Sequence, residues 1–321
     1  MREFLILAGS VAPIFAIITA GLLLRRFNWL TEDADQSLLK IVINLLIPAL
    51  ILASILGNET LRQPGNLIVP PVVGFGAATA DIAFGWLVAQ WSGAATRAER
   101  ASFAMAAGLQ NYLYYALPLI VLLYDPGTVG VLFVHNVGVD VVLWTIVVAA
   151  LSATGLLNSW RGLVNSPIVA LVCAVGLNLA EPHAAWLTHL LAPAGVLLTT
   201  ARTLGQCATP LALLLTGAVI GDHLADLRRP SPRLVGAALL VRFGFAPVLY
   251  LALARFLPCS VELKRVLVVQ GTMPSSMFTI LMTRRYGGDS RIAVQVVLAT
   301  TIASLAMVPL WLALARLFVP L

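Results

Sequence analysis

Apolar runs of about 20 residues recur from one end of this chain to the other, each long enough to cross roughly 30 Å of hydrocarbon as an α-helix. Lipid offers no partners to backbone N–H and C=O groups, so only helices and closed barrels span it. The alternating pattern of a membrane barrel is absent, which leaves helices. Composition agrees. Of the 321 residues 60% are hydrophobic and only 11% charged, with a mean hydropathy of +0.95; a soluble domain carries roughly 25% charged residues. So few polar groups could not coat a water-facing surface of this size.

The spans are expected near 4–24, 37–57, 67–91, 101–124, 127–152, 164–180, 194–221, 233–257, 262–283 and 290–318. The first ends in Arg25-Arg26 rather than at a small-residue cleavage site, so it reads as a retained span and not a signal peptide. Cys173, Cys207 and Cys259 are isolated, with neither metal-ligand spacing nor an even disulfide set, and read as packing residues. The net charge of +6 sits at span ends, a pattern that does not call for nucleic acid. Loops 1–2, 3–4, 5–6, 7–8 and 9–10 hold twelve Lys and Arg, including Arg25, Arg97, Arg161, Arg228, Arg229 and Arg284, against six on the other side. The positive-inside rule makes the first set cytoplasmic and puts both termini outside.

Ten spans divide into five and five around residues 158–161, giving halves 1–157 and 158–321. Five is odd, so the halves enter the membrane in opposite directions, and any similarity between them is an inverted repeat of the kind secondary transporters use. The similarity is faint but ordered. Span 2 has Asn44 then Pro48 and span 7 has Gln206 then Pro210; span 3 has Pro71 then Asp81 and span 8 has Pro232 then Arg242, ten residues apart in each. Span 4 has Gln110, Asn111 and Pro118, and span 9 has Gln270 and Pro274.

Spans 4 and 9 therefore carry polar residues and a proline inside apolar runs at corresponding places. Proline removes a backbone donor and clashes with the preceding turn. A broken helix survives in lipid only where protein or a polar cavity satisfies the freed groups, and paired breaks in inverted halves point to a substrate site. Candidate binding residues are Gln110, Asn111, Tyr114, Pro118, Gln270, Pro274, Ser275 and Ser276; ordinary proline kinks are the plain alternative. Asp81 and Arg242 are mid-span charges, each costing roughly 2.5–3.5 kcal/mol on insertion scales, so something must compensate them: a mutual salt bridge or a role in ion coupling. Asp140, with His135 and Asn136 nearby, is a similar case, and His135 is a candidate proton carrier by its near-neutral reference pKa. Trp29, Trp86, Trp91 and Trp311 read as interface anchors.

The segment Asn111-Tyr112-Leu113-Tyr114-Tyr115-Ala116-Leu117-Pro118 resembles the Asn…Gly-x-Pro signature of the auxin efflux carrier family, with Ala116 where Gly is usual. Asn165-Ser166-Pro167-Ile168-Val169, the run from Pro210 to Gly217, and Pro274 followed by Arg285-Tyr286-Gly287-Gly288-Asp289 resemble that family's sixth, seventh and ninth spans. The resemblance covers essentially the whole chain. It implies an all-α integral membrane protein of ten transmembrane helices in two inverted five-helix repeats, with broken helices 4 and 9 crossing. It implies a scaffold of spans 1, 2, 6 and 7, an elevator-like transport unit of spans 3–5 and 8–10, a homodimer in a bacterial inner or plasma membrane, and a small organic anion, often a carboxylate, as substrate. No cofactor is expected beyond a coupling H⁺ or Na⁺. A sodium-coupled carrier of bile-acid type shares the inverted plan. A nucleotide-driven pump lacks its Gly-rich Lys-Ser/Thr loop, and an intramembrane enzyme would rest on an Asp81–Asp140 pair alone.

Overall fold

The computed structural model describes residues 2–152, 162–183, 195–223 and 231–320, and every regular element among them is helical. The expected junction of the halves at 158–161, with Arg161, Arg228 and Arg229, lies outside the described residues. In chain order the helices are α1 (Arg2–Arg26), α2 (Glu32–Ile55), α3 (Gly65–Ala89), α4 (Arg97–Gly108), α5 (Ala116–Leu123) and α6 (Pro126–Leu151). Then come α7 (Ser166–Ala180), α8 (Val196–His223), α9 (Pro232–Phe256), α10 (Val261–Thr272), α11 (Phe278–Tyr286) and α12 (Ser290–Phe318). Among the described residues, α2, α3, α6, α8, α9, α12 and α7 with the turn that extends it to His183 are each long and apolar enough to cross a membrane. The chain is a multi-pass membrane protein.

Local sequence explains most helix starts. Thr96 and Glu99 form a reciprocal capping box at α4, while Asp125, Asn165, Ser231 and Ser260 cap α6, α7, α9 and α10 through their side chains. Two of these caps, Asp125 and Ser231, precede a proline at the first helical position, and Asn165 precedes one at the second, where no N–H is needed. Hydropathy alone places the start of α2 too late. The helix begins at Glu32 because the acidic turn of Glu32, Asp33 and Asp35 suits a helix N-terminus, and Arg25 of α1 holds Asp35 and, at 2.8 Å, Asp222 of α8.

Asp289 caps α12, accepting from the N–H groups of Arg291 (2.9 Å) and Ile292 (3.4 Å). Burial pushes its carboxyl up, but the hydrogen bonds from Arg291 and from these backbone groups outweigh that and hold it below the usual carboxylate range. A depressed acid stabilises the fold above its unfolded value, about 3.9, and loses that contribution as pH falls through the folded value. Asp289→Ala should cost about 1 kcal/mol at neutral pH. Thermal unfolding in detergent should show variant and parent converging in strongly acidic buffer; a gap that stayed constant with pH would count against the cap.

Two of the prolines inside spans, Pro48 and Pro247, are accommodated by widened turns. Pro48 would clash with the carbonyl of Asn44, and α2 is π-helical over Val42–Leu46. In α9, Pro247 cannot donate to the carbonyl of Phe243, which lies in the π-helical turn Leu240–Phe245. That freed carbonyl accepts the indole N–H of Trp311 at 3.0 Å. Trp311, expected as an interface anchor, is thus a partner for the widened turn of α9, while Trp29 and Trp91 are well exposed.

The helices pack in two groups. α1, α2, α7 and α8 lie on one another, and α3–α6 pack with α9–α12, with α1 and α2 reaching across to α12 and α6. Small residues allow the closest approaches. A Cβ at Gly217 of α8 would lie 1.8 Å from the Ile18 carbonyl oxygen of α1, and one at Gly21 of α1 would lie 2.0 Å from that of Leu214. Gly138 of α6 meets Pro71 of α3 in the same way, at 1.9 Å.

Candidate functional site

Two pairs of short helices, α4–α5 and α10–α11, are separated by non-helical residues 109–115 and 273–277. Each break supplies the other's missing partners. Asn111 N–H donates to the Pro274 carbonyl (2.7 Å), and Ser276 N–H donates to the Leu109 carbonyl (2.8 Å). Gln110 and Ser275 thus face each other in an isolated antiparallel bridge. Several further groups are met by side chains. Asn111 Oδ1 accepts from Tyr115 N–H (3.2 Å), Thr300 Oγ1 from Ser275 N–H (3.2 Å), and the Tyr112 carbonyl from the amides of Gln270 (3.0 Å) and Asn136 (3.1 Å).

The prolines act unequally. Pro274 lies within its break and offers its carbonyl to the other. Pro118 sits in the first turn of α5, downstream of the gap. It needs no N–H there, and its ring bars a helical turn from reaching back to Tyr114. The expected match between Pro118 and Pro274 holds for the existence of a break but not for its position.

Strand-like alternation then sorts the candidates by face. Asn111 and Ser276 line a cavity of about 180 Å³ together with Tyr112, Tyr114, Asn136 and Asp140, closed by α2, α6 and α7. Their neighbours Gln110 and Ser275 point the other way and are fully buried, with Gln110 Nε2 donating to the Tyr250 hydroxyl at 2.7 Å. Gln110 Oε1 and Ser275 Oγ have no protein partner. Gln270 stands one step behind the cavity wall, where its amide donates to Asn136 Oδ1 at 2.9 Å. A second cavity, of about 200 Å³, lies between α2, α8 and α11; it shares Tyr114 and Phe278 with the first and includes Asp35 and Arg284.

The mid-span charges pair as their cost demands. Arg242 donates to Asp81 Oδ2 at 3.1 Å, with both side chains fully buried. The same guanidinium also donates to the Gly108 carbonyl at 3.0 Å, at the end of α4, where a cation meets the negative end of a helix dipole. Asp140 instead accepts from the Tyr112 hydroxyl at 2.6 Å. The two aspartates are thus engaged by different groups. His135 is fully buried against Gly74 of α3, with Nδ1 3.4 Å from Asn136 Oδ1 and Nε2 unpartnered. It does not line the cavity. Tyr250 and Thr300 complete the crossing but had no local signal, because each serves a break far away in sequence.

A family model described as membrane transport protein matches the chain twice, over residues 6–156 and 151–312. No curated protein matches it.

Proposed function

We propose a function from a settled premise: the chain belongs to the membrane transport protein family, of the auxin efflux carrier type. It is a membrane transporter. Our reading is that it is a secondary carrier for a small organic anion, moved by an elevator-type alternation. One observation carries this above all. The half-helices α5 and α11 begin beside a largely apolar cavity into which the breaks bring the polar side chains of Asn111 and Ser276. The positive dipole ends of two half-helices and the side chains of Asn111 and Ser276 favour an anion there.

Supporting features fit the same reading. The seven long helices, α1, and the two interrupted pairs would make ten spans, five in each half. Asn165 at the start of α7 lines the first cavity and Arg284 near the end of α11 the second, and both belong to the side that we read as cytoplasmic from its excess of Lys and Arg. That is the arrangement of a carrier open to the cytoplasm. The group α1, α2, α7 and α8 would be the fixed scaffold and dimer face, and the remainder the moving unit. One charge crossing 100 mV is worth about 2.3 kcal/mol, so the membrane potential alone would drive export of an uncoupled anion, whereas import needs a coupled cation.

Purified protein in proteoliposomes should move labelled mono- or dicarboxylates under imposed potential, proton or sodium gradients. Asn111→Ala, which removes both the cavity amide and the acceptor for Tyr115 N–H, should reduce that flux about a hundredfold, the scale of a misplaced binding group. Absence of flux for every carboxylate, or full flux in Asn111→Ala, would overturn the reading.

A further inference from the structure

The cavity at the crossing contains no Lys, Arg or His among its lining residues, yet it contains a carboxylate. For an anion carrier this is a conflict of charge. Two anions sharing a small, largely apolar chamber repel strongly, and such pairs are resolved when one takes up a proton. We propose that Asp140 is the proton-coupling residue of this carrier, protonated when the organic anion is loaded and deprotonated when it is released. The inference rests on the anion-carrier reading above and adds the coupling ion to it.

The surroundings of Asp140 identify it as the exchangeable group. From the α4–α5 break, Tyr112 donates its hydroxyl to Oδ1, and Tyr114 lines the same wall. From α2 the cavity receives only Ile43, Ile47 and Ile51, and from α7 Asn165, Pro167, Ile168 and Leu171, none of them charged. From α11 it receives Phe278. On α3, Asp81 is held by Arg242 and does not line the chamber. From α10, Gln270 is neutral and bonded to Asn136 and the Tyr112 carbonyl. On α6 itself, His135 is fully buried and outside the chamber. Asp35 and Arg284 belong to the neighbouring cavity. Asp140 is half-buried, so water in the cavity can reach it.

The step balances simply. A hydronium in the cavity gives its proton to the free oxygen of the Asp140 carboxylate, forming one O–H bond and leaving water, while Tyr112 keeps donating to Oδ1. The chamber then holds a neutral acid and one bound anion, so one proton travels with each negative charge neutralised. On the far side the O–H bond breaks to water as the anion leaves. Tyr112 also joins this proton site to the crossing, because its carbonyl accepts from Gln270 and Asn136.

The test uses proteoliposomes of the full chain with the potential clamped, and labelled lactate, malonate and succinate as probes. Acidifying the outside should accelerate uptake about tenfold or more in the parent. Asp140→Asn should abolish that acceleration and make substrate exchange independent of pH. Should that variant fail to fold, Tyr112→Phe provides the second readout. Losing a donor to the charged carboxylate should move the pH of half-maximal uptake upward by about one unit. Uptake indifferent to the proton gradient in the parent, or gradient-driven uptake surviving in Asp140→Asn, overturns the proposal while leaving the carrier reading intact. So does an unmoved pH dependence in Tyr112→Phe. Failure to move any carboxylate under any gradient overturns the carrier reading itself.

Discussion

Arg242→Met is expected to destabilise the purified protein by roughly 3–5 kcal/mol, the cost of removing one partner from a buried ion pair. Neither Asp81 nor Arg242 has measurable exposure. Deleting the guanidinium strands the Asp81 carboxylate within the helix packing and removes the donor to the Gly108 carbonyl at the end of α4. Unlike an ordinary surface ion pair, this one cannot turn to water. Asp81→Leu combined with Arg242→Met should recover part of the loss, because no charge is then left alone. Recovery should stay incomplete, because the α4 carbonyl still lacks its donor, an orphan group worth about 1–3 kcal/mol. Denaturant titration in detergent would measure all three variants. A single substitution within about 1 kcal/mol of the parent, or full recovery in the double variant, would show that the guanidinium does not hold the end of α4.

Gly217→Val should have an effect of similar size for a purely steric reason. Its Cβ would fall 1.8 Å from the Ile18 carbonyl oxygen, which is backbone and cannot swing aside. Gly21 makes the reciprocal contact from α1, so the two helices touch at their main chains and must separate to admit any side chain. Overpacking commonly costs 1–3 kcal/mol and occasionally more; here even alanine should approach the upper end of about 3 kcal/mol. Gly236 of α9 is the control, since a Cβ there would meet nothing within 4 Å. Gly236→Ala should be neutral or slightly stabilising, by up to about 1 kcal/mol, from helix propensity. Monodispersity and thermal midpoint by size-exclusion chromatography would separate these outcomes. A well-behaved Gly217→Val protein would mean that α1 and α8 pack more loosely.

Much of the architecture was readable because membrane helices announce themselves through local composition. The apolar runs located the long helices within a few residues. The missing start of α2 failed for the same reason, since its first turn is acidic and hydropathy cannot see it. The site was half legible. Polar residues with a proline in an apolar run marked both breaks, and the insertion cost of Asp81 and Arg242 required a partner. What stayed hidden was everything fixed by pairing across the chain. Which of Gln110 and Asn111 faces the cavity depends on the register of an antiparallel contact with residues 274–276. That register has no signature in either segment alone. Likewise nothing near Trp311 reveals that Pro247 has left the Phe243 carbonyl without a donor, and nothing near Tyr112 reveals Asp140.

The two direct hydrogen bonds that join the breaks, Asn111 N–H to Pro274 and Ser276 N–H to Leu109, run from main chain to main chain. They therefore depend on the path of the polypeptide and not on which side chains it carries. A substitution on the cavity face leaves the donors and acceptors of these two bonds in place. A lineage built on this knot could change its cargo by rewriting a few letters on one face, leaving the buried face to maintain the frame.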